Sequence, residues 1–67
     1  MYYAIVDQSG DFFCSQGESG WFQSECIGWA ICSPDRQFVE NQISQFNLQN
    51  VEIVPMRMND DFTFEKQ

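Results

Sequence analysis

The chain has 67 residues, ten of them acidic, three basic and none histidine, so its net charge is −7; without an imidazole that charge does not change near neutral pH. A chain this short has room for one core, since it buries only about 60% of its unfolded surface on folding. Arg36, Arg57 and Lys66 are scattered, which argues against direct binding of DNA, RNA or an anionic membrane, because a phosphate-binding footprint needs clustered cations.

Tyr2 to Val6 is rich in β-branched and aromatic side chains and predicts a strand. Asp7-Gln8-Ser9-Gly10 supplies turn chemistry before Asp11 to Ser15 extends again. Gln16-Gly17-Glu18-Ser19-Gly20 reads as a loop, and extended structure is expected again from Trp21 to Cys32. Within it, period two puts Ile27, Trp29 and Ile31 on one face and Cys26, Gly28, Ala30 and Cys32 on the other, the pattern of a central strand, with Gly28 as an alternative bulge. Ser33-Pro34-Asp35 predicts a helix start, with Ser33 as N-cap, Pro34 at the first helical position and Asp35 in the first turn. Val39, Ile43 and Phe46, widened by Phe38, form the apolar stripe; Arg36, Glu40, Asn41, Gln42 and Gln45 lie outside it, and the helix is expected to end near Asn47 to Asn50. Val51 to Met58 reads as the last strand, with an alternation that changes phase at Pro55. That break predicts an edge strand or a bulge. The expected fold class is α+β: a small, mostly antiparallel sheet in the order strand-strand-strand-helix-strand, with one helix packed on one face. Residues 1–67 form a single domain in this reading. The other sheet face is left to expose surplus rings such as Tyr3, Phe13 or Trp21, or to share them with a second copy.

Residues 59–67 invite two readings. Asp60-Asp61-Phe62-Thr63-Phe64-Glu65 alternates charge with rings, as acidic-aromatic tails do when they dock into basic, apolar-lined grooves. Alternatively, Phe62 and Phe64 extend the last strand and pack on the sheet.

Catalytic chemistry finds little support. No histidine serves as a base, and Lys66 is badly placed for a Schiff base. Cys14, Cys26 and Cys32 are an odd set separated by eleven and five residues, without a C-x₂-C pair, which argues against a zinc site or a complete set of intramolecular disulfides and fits a reducing cytoplasm. Cys32, just before the helix, is the one thiol with a hint of activation, set against packing as a small hydrophobe. Asp60 and Asp61 lack both a glycosidase cleft and calcium-loop spacing. No catalytic, cofactor-binding or metal-ligating residue is therefore expected. The N-terminal stretch lacks a basic n-region and an apolar h-region, and no run approaches the ~18 apolar residues of a membrane span; a cytoplasmic location follows as an expectation.

What remains is a binding surface. Solubility accounts for part of the charge, but eleven aromatic residues exceed what a core this size needs, and aromatics amid charge mark interfaces. Asp11, Glu18, Glu25, Asp60 and Asp61 are the expected charge contacts, with Trp21, Phe22 and Phe62 as anchors. The expected partner is a protein with a basic surface, of the kind that handles nucleic acid. The competing expectation is a homo-oligomeric assembly module, with a homodimer as its simplest form.

The layout of Tyr2-Tyr3-Ala4-Ile5-Val6-Asp7, a glycine turn, Gly28-Trp29-Ala30-Ile31 leading into a capped helix, and Asn50-Val51-Glu52-Ile53-Val54-Pro55 resembles small phage and prophage accessory proteins. The resemblance spans most of the chain and rests on pattern. It implies a non-catalytic protein that binds and blocks a host complex in the host cytoplasm, as small inhibitors of host RNA polymerase and various anti-CRISPR and anti-restriction proteins do, several of them as acidic mimics of nucleic acid. It implies no role for any individual residue.

Overall fold

Extended, β-branched and aromatic residues form β1 (Tyr2–Val6) and β2 (Phe12–Gln16). The turn between them is held by Asp7, whose carboxylate accepts the backbone N–H groups of Ser9 and Asp11, each at 2.9 Å. The computed structural model describes all residues from Met1 to Gln67. β3 (Ser19–Gln23) pairs along the whole of β2, from Gln16↔Ser19 to Phe12↔Gln23. The expected loop Gln16–Gly20 thus shrinks to a two-residue turn, Gly17-Glu18. Gly17 takes φ 62°, which a glycine-first hairpin turn demands and which lets the ladder run to the turn itself. β4 (Cys32–Ser33), α1 (Arg36–Gln45), β5 (Glu52–Met58) and β6 (Phe64–Lys66) complete the chain. The sheet runs β3-β2-β1-β5-β6 with β4 paired to β1, all pairs antiparallel, and the single helix lies on one face. The fold is α+β, in the predicted order of strands, helix and strand.

The expected central strand over Glu25 to Cys32 is broken. β1 and β2 pair only at Val6↔Phe12 and then splay apart. The chain enters that opening from Trp29 onward. Ser15 N–H donates to the Trp29 carbonyl (3.1 Å) and Ile31 N–H to the Phe13 carbonyl (2.9 Å), after which β4 continues with Ala4↔Cys32 and Tyr3↔Ser33. The segment is therefore central, but as a wedge shared between two strands. Residues 24–28 stay outside as a loop because Gly28, at φ 64°, reverses the chain, and Ala30 N–H donates to the Ile27 carbonyl (3.2 Å) to close the turn. Ile27 and Trp29, expected to share a covered face with Ile31, are instead 54% and 57% exposed.

Two clusters sit on opposite faces of the sheet. On the helix face, Ile5, Phe13 and Val39 pack with Tyr3, Phe22, Ile43, Phe46 and Ile53. On the other, Ala4, Val6, Phe12, Cys26 and Met56 pack with Tyr2, Cys32, Val54 and Phe64. The second face is therefore covered, and Tyr3 and Phe13 belong to the helix side. This also corrects the reading of Pro55. β5 keeps an unbroken register with β1 from Val6↔Glu52 to Tyr2↔Met56. The apolar phase changes because Ile53 serves one face while Val54 and Met56 serve the other. Nor is β5 an edge, since β6 pairs beyond it. Pro55 is tolerated because its carbonyl accepts Gln67 N–H on the β6 side (3.2 Å). In a strand the nitrogen points the same way as the carbonyl, so the missing donor leaves the β1 ladder intact.

The helix starts two residues later than the sequence implies. Asp35 is the N-cap, its Oδ1 accepting from Gln37 N (3.0 Å) and Phe38 N (3.4 Å). Ser33, held in β4, accepts instead from Asp35 N (3.1 Å). Val39, Gln42, Ile43 and Phe46 form the inward face. Gln42, expected outside the stripe, is buried, and Phe38 is exposed. The helix closes with paired bonds from Leu48 N to Ile43 O (3.0 Å) and Asn47 N to Ser44 O (3.2 Å), with Asn47 at φ 52°, a Schellman stop.

Candidate functional site

The second sheet face is covered by loop 24–31 and the β5–β6 hairpin, two thin pieces of chain that leave a groove between them. One cavity of about 260 Å³ lies among Cys26, Ile27, Ala30, Cys32, Phe62 and Phe64. It runs into a second hollow of about 530 Å³ reaching Glu25, Phe12, Glu65 and Lys66, with Cys26, Ile27, Thr63 and Phe64 common to both. Side chains hold both walls. Gln23 Nε2 donates to the carbonyls of Glu25 (2.8 Å) and Ile27 (2.6 Å), fixing the loop to the end of β3. In the hairpin, Thr63 donates its backbone N–H (3.2 Å) and its hydroxyl (2.6 Å) to Asp61 Oδ1, and Asn59 Nδ2 donates to the same hydroxyl (3.1 Å). These Thr63 bonds hold the Asp61 carboxyl below the usual carboxylate range.

Phe62 stands at the tip of that hairpin, 78% exposed and at φ 65°. The other two non-glycine residues at positive φ are Asn47 and Asn50, a residue type that tolerates this region. A bulky aromatic there is a genuine outlier. With Ile27 on the opposite wall, Phe62 gives the groove an apolar rim; Trp29, exposed on the same loop as Ile27, lines neither hollow.

Around the groove the acidic residues outnumber the cations, of which Lys66 lines the larger hollow. Of the ten acidic residues, only Glu40 and Glu65 have a cationic partner, in Arg36–Glu40 (3.6 Å) and Arg57–Glu65. Arg36 also lies over the Tyr3 ring at 5.5 Å, and Lys66 over Phe12 at 5.6 Å. Glu25, Asp60 and Asp61 flank the exposed rings with no cation of their own.

The thiols converge on this face. Cys32 lies against Cys26, and that contact holds the Cys26 thiol below its ordinary range although burial pushes the other way. The same contact, with burial and repulsion from Cys26, pushes Cys32 far up. Cys14 is raised by burial first and by Cys26 second, and its S–H points at the Phe12 carbonyl (3.6 Å). No three or more Cys, Asp or Glu side chains gather where they would hold a metal ion.

Of the residues expected to bind, Glu25 and Phe62 line the groove, Asp60 and Asp61 precede Phe62 in the same turn, and Asp11 lies between Gly10 and Phe12 at its far end. Glu18 and Trp21 belong to the β2–β3 hairpin, on the sheet edge opposite β6. Phe22 is spent on the core, its ring 5.4 Å from Phe13. Sequence reasoning missed Ile27 because its spacing from Trp29 fits a strand. The signal against that was Gly28 between them. The two readings of residues 59–67 divide between the rings: Phe64 packs edge-on to Tyr2 at 5.0 Å, while Phe62 packs on nothing comparable. No helix is long and apolar enough to cross a membrane. Compared with known proteins, the chain matches no family model, no curated protein and no solved structure.

Proposed function

We propose that this chain is a non-catalytic binding protein that docks its acidic, ring-lined groove on a basic segment of a nucleic-acid-handling host protein and blocks that protein, as an inhibitor or modulator working in the cytoplasm. The observation that carries this reading is Phe62. A bulky side chain in the left-handed region costs on the order of 1–3 kcal/mol, and an exposed ring recovers little of that by burial, so its use lies outside the fold. Ile27 and Phe62 at the rim, and the exposed Trp29 beside it on the loop, offer apolar and aromatic anchors for an interface. Uncompensated Glu25, Asp60 and Asp61 favour a partner rich in Lys and Arg and disfavour nucleic acid itself.

The test is capture from a bacterial lysate with the wild-type chain and with Ile27→Ser/Phe62→Ser, which alters the two rim residues. The reading requires a basic protein retained by the wild type, lost with the double variant, released as salt rises, and inhibited in nucleic-acid binding when the chain is added. Retention that ignores both the rim residues and the salt overturns it. The five-residue edge strand β3 gives the competing reading, a homo-oligomeric assembly module, one observation of its own. Sedimentation at micromolar concentration showing a stable oligomer and no heterologous partner favours that alternative.

A further inference from the structure

The groove brings together two thiols that the binding reading does not use. Cys32 is fixed by the β1 ladder opposite Ala4, and Cys26 rides on the loop that the Ile27–Ala30 turn folds back toward it. Both line the 260 Å³ cavity and both pack on the same cluster of side chains. Cys14 lines neither hollow. We propose that Cys26 and Cys32 form a redox-active dithiol that a small organic disulfide entering this cavity converts to an intramolecular disulfide.

The exchange balances in two steps. The Cys26 thiolate attacks one sulfur of R–S–S–R; the S–S bond breaks, a Cys26–S–S–R bond forms, and R–S⁻ leaves to take a proton from water. Cys32 then gives its proton to solvent and attacks the Cys26 sulfur, expelling a second R–S⁻. The dithiol loses two electrons and two protons, and the organic disulfide is reduced to two thiols. The roles follow from placement: Cys26 lines both hollows and so meets the incoming disulfide from either, its ionised form supported by Cys32, while Cys32, which lines the smaller cavity alone, resolves. The product ties the base of the loop carrying Ile27 and Trp29 to the central ladder, closing a short loop across the groove floor.

The probe is hydroxyethyl disulfide, incubated with the folded full-length chain at neutral pH, followed by alkylation, intact mass and non-reducing peptide mapping. The expected result is loss of two hydrogens with Cys26 linked to Cys32, reversed by dithiothreitol, and Cys14 alkylated only after unfolding. Cys32→Ser is expected to stop at one mercaptoethanol adduct on Cys26, and Cys14→Ser to behave as wild type. Stable single adducts on the wild type, linkage through Cys14, or reaction only in urea overturns the assignment. No partner is needed for this readout, so it stands or falls apart from the binding reading.

Discussion

Replacing Phe62 with glycine is expected to make the protein more stable. At φ 65° a side chain with a Cβ costs about 1–2 kcal/mol through its clash with the backbone, and glycine does not incur it. Against this, glycine has more freedom to lose on folding, about 0.5–1 kcal/mol, and the ring forfeits what little burial it has at 78% exposure. The net gain is on the order of 0.5–1 kcal/mol, a rise in Tm of about 2–8 °C for a domain of this size. Phe62→Ala is the control, since it removes the ring and keeps the Cβ. Thermal melts should place Gly above wild type, Ala at or slightly below it, and Phe62→Asn between them, because Asn tolerates this region. If Gly and Ala lower Tm equally, the ring was packed and the backbone relaxed, and the case for an outward role of Phe62 fails with them. Binding should move oppositely, with the stabilised Gly variant the weaker binder.

Three further outcomes are expected. A Cβ at Gly20 would meet the Phe13 ring at 2.7 Å, and Phe22 and Phe46, with centroids 5.4 and 5.1 Å away, keep that ring from yielding; Gly20→Ala should cost about 1–3 kcal/mol in urea melts, with Phe13→Leu in the same chain recovering part of it, whereas strict additivity would place the ring elsewhere. Cys14 is raised in the folded state, by burial first, so the stability of its neutral thiol is complete below the ordinary thiol range and is lost as pH rises through it; the fall of the urea midpoint above about pH 8.5 should be smaller in Cys14→Ala than in the wild type. Asp61 is lowered by Thr63, so Thr63→Val should return its carboxyl titration, followed by NMR, to the usual range, and no change would show that the Thr63 bonds are not made in solution.

How far the fold was legible in the sequence depends on whether its local signals compete. β1, the Asp7 turn and β5 came through because apolar residues, turn chemistry and neighbours agree. Asp35 displaced Ser33 as cap because both residues cap well and pairing to Tyr3 claims Ser33 first. The phase change in β5 was visible, but its cause, a sheet covered on both faces, is a tertiary fact that no strand carries alone. The wedge at Trp29 to Ser33 was invisible for the same reason, since it exists only where β1 and β2 part. The candidate site divides likewise. Glu25, Asp60, Asp61 and Phe62 were reachable from charge and rings in one short tail and loop. Ile27 was not, since its period-two spacing from Trp29 is satisfied equally by a strand and by a turn that throws both residues outward.

The wedge also explains why the groove is a stiff feature. Loop 24–28 is held at one end by Gln23, through its bonds to Glu25 and Ile27, and at the other by Trp29, Ala30 and Ile31 joined to β2. Across the groove the Asn59–Asp61–Thr63 network closes the hairpin under Phe62. The ordering of both walls is therefore supplied by folding, and a partner that docks there does not meet that entropic cost again. A preordered rim and an uncompensated field act on different steps of association. The field, spread over acids such as Glu18 and Glu52 far from the rim, draws in a cationic partner and sets the on-rate and its salt dependence. The rings at the rim act after contact and set residence. Charge and aromatics, which the sequence presents as one mixed composition, are thus separated by the fold into a long-range and a short-range function, and kinetics can tell the two apart.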